Sequence, residues 1–150
     1  MTIKGFAACV AAAGMVLSFP AAAGGPGQAE KIRLLDIMLM VTGLRCRATK
    51  DNFQHEYGQF TTNHIGELND AAHQLKAQYA VQYGPSKADR ALDKLSVQMA
   101  NQYGNGHPWL NCGQLKQVAS TLADMRGLQP LVEAANDLLD DGSHQMAWLR

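Results

Sequence analysis

"AEKIRLLDIMLMVTGLRC" (residues 29–46) is the stretch that decides the fold. At about 100° per residue, Arg33, Asp36, Met40 and Gly43 share one narrow side of a helix. Ile32, Leu34, Leu35, Ile37, Met38 and Leu39 cover most of the rest. A helix that is apolar around most of its circumference is one enclosed by other helices. The spacing therefore predicts a central helix over 29–46. Arg45 and Arg47 at its end suit the negative pole of the helix dipole.

The segments that follow supply the enclosing helices. Phe53, Tyr57, Phe60, His64, Leu68, Ala71, Leu75 and Tyr79 recur at steps of three and four. They predict an amphipathic helix that starts after Thr49 or Asp51 and runs to about Tyr83. Gly58 and Gly66 weaken it, and a kink or a split into two helices is expected near either. "GPS" at 84–86 ends this helix, and Ser86 is the expected cap of the next. The inward seam of that next helix is Ala88, Leu92, Leu95, Met99 and Tyr103. After "GNGHP" at 104–108, Cys112, Leu115, Val118, Ala119 and Leu122 predict a further helix, closed by Gly127. Pro130 opens a short last one, with Leu131, Ala135 and Leu138 inward. No strand alternation interrupts these stripes. Short connections favour antiparallel neighbours, so the expected fold is an all-α, up-and-down helical bundle of four to five helices.

Ahead of the central helix, "MTIKGFAACVAAAGMVLSFPAAAGG" (1–25) has a basic start, a small apolar run and an A-x-A site. That pattern predicts a signal peptide over 1–23, cleaved after Ala23, and so a periplasmic or secreted protein. The apolar run is shorter than the ~20 residues of a membrane span, and no membrane span is expected in the mature chain. Residues 24–29 read as a flexible leader, 30–127 as the bundle domain, and 128–150 as a short C-terminal helix and tail that Trp148 and Leu149 could dock. Thirteen basic residues balance thirteen acidic ones. No basic face stands out, so nucleic acid is not an expected partner.

Cys9 leaves with the signal peptide, which leaves Cys46 and Cys112. In an oxidising compartment the expectation is a structural disulfide between them. If the first helix and the one starting near Cys112 run antiparallel, these two ends coincide. Two alternatives stand beside it. Arg45 and Arg47 flank Cys46 and could lower a thiol pKa for redox work, although no C-x-x-C is present. His107, near Cys112, is the nearest candidate for a metal site.

The remaining chemistry is sparse. His55 and His73 share a helix side but lie about 27 Å apart, too far to share a metal. His64 falls in the apolar stripe and reads as a core histidine. Asp36 reads as part of a thin wet stripe or as a polar group lining a bundle cavity, with Arg33 as its partner. There is no H-E-x-x-H, C-x-x-C-H or G-x-S-x-G. No catalytic residue, cofactor or metal is therefore expected. The most distinctive segment is "YGNGHPWLNCG" (103–113), where Tyr103, His107, Trp109 and Asn111 form a possible binding surface. The competing reading is that Trp109 covers the disulfide and caps the core.

From about Ala29 to Ala123 the chain resembles a group of small secreted proteobacterial helical proteins of unknown function. The resemblance rests on "LDIMLMVTGLRCR", "NFQHEYGQFTTNH" and "ALDKLSVQMANQYGNGHPWLNC". Some similar proteins bear the label S-adenosyl-L-homocysteine hydrolase. That enzyme family binds NAD on a dinucleotide fold and is several times longer. This chain has no G-x-G-x-x-G after a strand, so no hydrolase residue carries over.

The functional expectation is a non-enzymatic, disulfide-stapled protein with a binding or envelope-stress role and an unknown protein or small-molecule partner. The alternative is a small enzyme or a ligand or metal carrier, with a site in the bundle or at the 103–113 loop. An enzyme would draw on His64, Asp36 and His107, and would need a pocket that joins at least two of them.

Overall fold

Every regular element among residues 26–139, the part of the chain that the computed structural model describes, is an α-helix. They are α1 (Pro26–Cys46), α2 (Gln54–Asn63), α3 (Ile65–Tyr83), α4 (Pro85–Tyr103), α5 (Cys112–Asp124) and α6 (Leu128–Leu139). The expected signal peptide at 1–23 and the docking of Trp148 and Leu149 lie outside the described residues.

Helix α1 touches each of the other five helices. Leu35, Met38 and Leu39 are fully buried, and Ile32 and Ile37 nearly so. Each such side chain contributes about 2 kcal/mol relative to exposure. The directions alternate around this axis. Gly43, near the end of α1, meets Phe53 at the head of α2, where an added Cβ would lie 3.3 Å from the ring. Helix α4 returns alongside α1, with Arg33 Nη2 3.5 Å from Ser96 Oγ. Helix α5 starts at the end of α1. Helix α6 runs back up beside it, where Lys31 Nζ donates to Asn136 Oδ1 at 2.9 Å. The expected up-and-down bundle is thus the architecture observed.

Its details differ from expectation in five places. First, there are six helices rather than four to five, because the split expected near Gly58 or Gly66 does occur, close to Gly66. The break falls at His64, whose φ of −115° and ψ of 20° are not helical. The cause is α5. Its last carbonyls have no partner within their own helix. The His64 Nε2–H donates to the Leu122 carbonyl at 2.8 Å, and Asn63 Nδ2 donates to the Ala123 carbonyl at 2.7 Å. Second, residues 26–29 are not a leader. Pro26 heads α1 with its φ already suited to a helix, and Ala29 is in the core.

Third, neither Thr49 nor Asp51 caps α2. Thr49 Oγ1 donates to the Cys46 carbonyl at 2.8 Å and so finishes α1. Asn52 Oδ1 accepts from the Gln54 N–H at 3.0 Å, which lets Phe53 turn into the core. Fourth, Ser86 does not cap α4. Gly84 alone joins α3 to α4 with φ +90°, an angle that favours glycine, and Pro85 takes the first helical position. Fifth, the C-terminal helix begins earlier than expected, while its expected inward residues are indeed buried. Helix α6 starts at Leu128 rather than at Pro130 and buries Leu131, Ala135 and Leu138 completely. Pro130 lies within the first turn, where the missing N–H costs no helical hydrogen bond.

Cys46 and Cys112 are joined, with Cα atoms 5.7 Å apart and a sequence separation of 66. The bond clamps the end of α1 to the start of α5. Closing a loop of this size restricts the unfolded chain by about 4 kcal/mol in the entropy treatment. A Cys46→Ser/Cys112→Ser variant should therefore keep its helical circular dichroism and lose roughly 2–4 kcal/mol in urea unfolding. An unchanged urea midpoint would show that the clamp adds nothing to stability.

Candidate functional site

The 103–113 loop draws three of its four expected residues together, but mostly inward. Tyr103 is 2% exposed and His107 8% exposed. The two rings stack with centroids 5.7 Å apart, and Trp109 meets His107 edge-on at 4.5 Å. The His107 Nε2–H donates to the Leu138 carbonyl at 3.1 Å, at the end of α6. The Trp109 N–H points to His107 Nδ1 at 3.5 Å. Asn111 is used elsewhere. Its Oδ1 accepts from the Gln114 N–H, and its own N–H donates to Gln114 Oε1, both at 3.0 Å. That pair is a capping box at the head of α5. Only Trp109 presents a large apolar surface, at 39% exposure. The loop is a plug that ties α4 to α6 beside the disulfide.

The three residues an enzyme would draw on are each engaged in the scaffold. Asp36 lies half-buried on the polar side of α1, with its expected partner Arg33. Its Oδ1 accepts from Tyr57 Oη at 2.9 Å, and its Oδ2 pairs with Arg33 Nη1 at 3.2 Å. Burial raises the Asp36 pKa, while Tyr57 and Arg33 pull it down. The Tyr57 hydroxyl is pushed far up, first by burial and then by the Asp36 charge, so it stays protonated and donates. His64 is fully buried in contact with Phe60 and holds the end of α5. Its Nδ1 faces Glu67 at 3.9 Å, beyond hydrogen-bond reach. His107 is the plug residue just described. None of these three lines any of the four concavities found among the described residues, at α3–α4, at α1–α6, at α5–α6 and on α2.

Metal and thiol chemistry fare no better. Both sulfurs are committed to the disulfide, so Cys112 cannot join His107 as a thiolate ligand. His55 and His73 are exposed on different helices. Among the described residues no group of three His, Cys, Asp or Glu side chains is placed to hold a metal ion.

The site that the fold builds lies at the opposite end of the bundle, between the last turns of α3 and the first half of α4. It is a concavity of about 450 Å³. That is within the range of small-ligand sites, ~300–1,000 Å³. Tyr79 and Tyr83 form one wall, with ring centroids 5.8 Å apart. Lys87, Arg90 and Lys94 form the other, and Ala91 and Leu95 supply the apolar base. Positions 87, 90 and 94 fall along one edge of α4, over about 10 Å of helix.

The electrostatics of this wall are unfavourable for the helix alone. Like charges at i,i+3 and i,i+4 each cost about 0.2–0.5 kcal/mol. Lys87 also sits in the first turn of α4, against the positive pole of the dipole, and no acidic residue occupies that turn. Two other exposed lysines do have carboxylate partners. Lys76 meets Asp89 at 2.6 Å across the same two helices, and Lys116 meets Glu56 at 3.5 Å. Lys87, Arg90 and Lys94 have no ion pair among the described residues. On the tyrosine side, burial raises the Tyr79 pKa, and the Glu30 carboxylate and Tyr83 raise it further.

Sequence reasoning finds no basic face because the net charge is balanced and the three cations are diluted by Asp89 and Asp93. The signal that was present is the 87–90–94 spacing in "KADRALDK", which places cations on one helix edge. The two tyrosines were assigned to the stripe of the preceding helix. Only the Gly84 turn shows that they face the cations.

Comparison of the chain with protein-family models, with curated proteins and with solved structures finds no match.

Two outcomes follow from the buried polar groups. Burial holds the His107 pKa below its usual 6.5, against the opposing pull of the Leu138 carbonyl. The stability this residue contributes is therefore complete above pH 6.5 and is lost as pH falls through its lowered folded value. His107→Gln keeps a donor for Leu138 but cannot titrate. Its melting temperature should fall less steeply than that of the wild type between about pH 6.5 and 4.5. Parallel curves would refute the assignment. Tyr57→Phe removes the donor to Asp36 and should cost roughly 2 kcal/mol in urea unfolding, measured at pH 7.

Proposed function

We propose that the chain works outside the cytoplasm as a non-enzymatic binding protein with an envelope-stress role, and that the groove between α3 and α4 is its binding surface. The export part of this reading is supported by the basic and apolar N-terminal segment with its A-x-A site, and by the disulfide. The resemblance to small secreted proteobacterial proteins agrees with it. No helix among the described residues is long and apolar enough to cross a membrane.

The observation that carries the binding role is a contrast between two kinds of polar group. The candidate catalytic groups Asp36, His64 and His107 are all bonded within the scaffold. The cations Lys87, Arg90 and Lys94 line an open concavity with no ion pair of their own among the described residues. Groups tied into the packing hold a fold together. Exposed like charges beside aromatic rings are free to meet a ligand.

The test is complementation of a gene deletion under acid and envelope stress. An R90E/K94E variant should reach wild-type abundance and melting temperature and yet fail to restore survival. D36N and H107Q should complement in proportion to how much folded protein remains. The binding reading falls if R90E/K94E complements fully. It falls equally if D36N abolishes rescue at full abundance and unchanged melting temperature.

A further inference from the structure

The groove has two unlike walls, and their chemistry specifies what fits between them. On the α3 side, Tyr79 and Tyr83 offer ring faces, with the Glu30 charge close to Tyr79. An anionic group is repelled from that side, whereas a flat apolar body gains contact with the rings. Beneath lie Ala91 and Leu95, and Leu95 also packs against the core cluster, so the base of the groove is apolar and fixed. On the α4 side, Lys87, Arg90 and Lys94 place three positive charges in a row. Asp89 is already paired with Lys76 and does not serve them. Arginine's planar fork suits a carboxylate, sulfonate or phosphate better than a single point charge does.

We infer that the α3–α4 groove binds a small organic anion with a planar aromatic body, its ring against Tyr79 and Tyr83 and its charged group on Arg90 and Lys94. A bare inorganic anion would leave the tyrosine wall and the Ala91–Leu95 base unused. A neutral aromatic molecule would leave the cationic row uncompensated. The occupant that satisfies both walls carries ring and charge on one molecule. The inference rests on the binding-protein reading above and adds the ligand class to it.

The experiment uses the mature, disulfide-bonded chain and three probes. The first is 8-anilinonaphthalene-1-sulfonate, which has both ring and charge. The second is N-phenyl-1-naphthylamine, the same ring system without the sulfonate. The third is inorganic sulfate, the charge without the ring. Fluorescence titration should give saturable binding of the first probe at one site. The uncharged analogue should bind at least about tenfold more weakly, and sulfate should compete only at concentrations far higher still. R90E/K94E should weaken the first probe by at least about tenfold without shifting the melting temperature, and Tyr79→Ala should weaken it too.

Equal binding of the two aromatic probes would overturn the ligand class and leave only an apolar groove. Sulfate competing as well as the aromatic sulfonate would overturn it in favour of a plain anion site. Binding that is indifferent to R90E/K94E, or no saturable binding at all, would overturn it outright. None of these results touches the complementation test, which judges the groove as the functional surface whatever its ligand.

Discussion

Helix α1 has apolar side chains on nearly every face, and most of them, Met40 and Leu44 excepted, escape water only if helices stand on all sides. Five do. The constraint is severe because the surrounding helices are short and only moderately amphipathic, and each must present its one apolar stripe to the same axis. Chain direction then has to alternate, since connections as short as the single residue Gly84 leave no length for a crossover. The disulfide acts on the same axis. It fixes the far end of α1 to α5, where the chain has just come around from α4 through the aromatic plug. Burial of α1 provides the driving force, and the bond limits what the unfolded chain can explore.

Wrapping five segments around one helix leaves many helix ends inside or near the core, and the backbone groups at those ends must be satisfied. The structure does this with side chains from neighbouring segments. Asn63 and His64 reach the last carbonyls of α5, Arg126 Nη1 adds a donor to the Ala123 carbonyl at 2.9 Å, and His107 reaches the carbonyl of Leu138. These contacts give both buried histidines a place in the scaffold. An imidazole N–H is a rigid donor on an otherwise flat, packable ring, which suits a carbonyl that water cannot reach. The Arg33–Asp36–Tyr57 group plays the corresponding part for the polar edge of α1, and it exchanges hydration for an ion pair and one phenolic hydrogen bond.

Against that background the α3–α4 end is different in kind. There Lys76 and Asp89 pair across the two helices, but Lys87, Arg90 and Lys94 lie where both the helix dipole and their mutual repulsion disfavour them. A local arrangement that works against its own helix is the pattern expected where something outside the chain completes the interaction. The disulfide and the plug stand at the other end of the bundle and hold it rigid, so the groove is presented on a fixed frame.

The sequence by itself determined the helical class, the central place of α1 and the inward residues of each stripe. Periodicity records which side of a segment avoids water, and that is a property of neighbouring residues. It also pointed to the cysteine pair, because only two cysteines remained and they fell at segment ends. It placed Tyr103, His107 and Trp109 near one another and left two readings open, a binding surface or a cap on the core, since whether a loop residue faces a partner or a neighbouring carbonyl depends on α6, far along the chain. The exact place of the break at His64, the Asn52 turn that leads into α2 and the groove were decided by tertiary structure. Each depends on a contact between segments that no local pattern encodes: a carbonyl of α5 waiting for a donor, a ring of α2 needing the space beside Gly43, or two tyrosines turned by one glycine to face three cations.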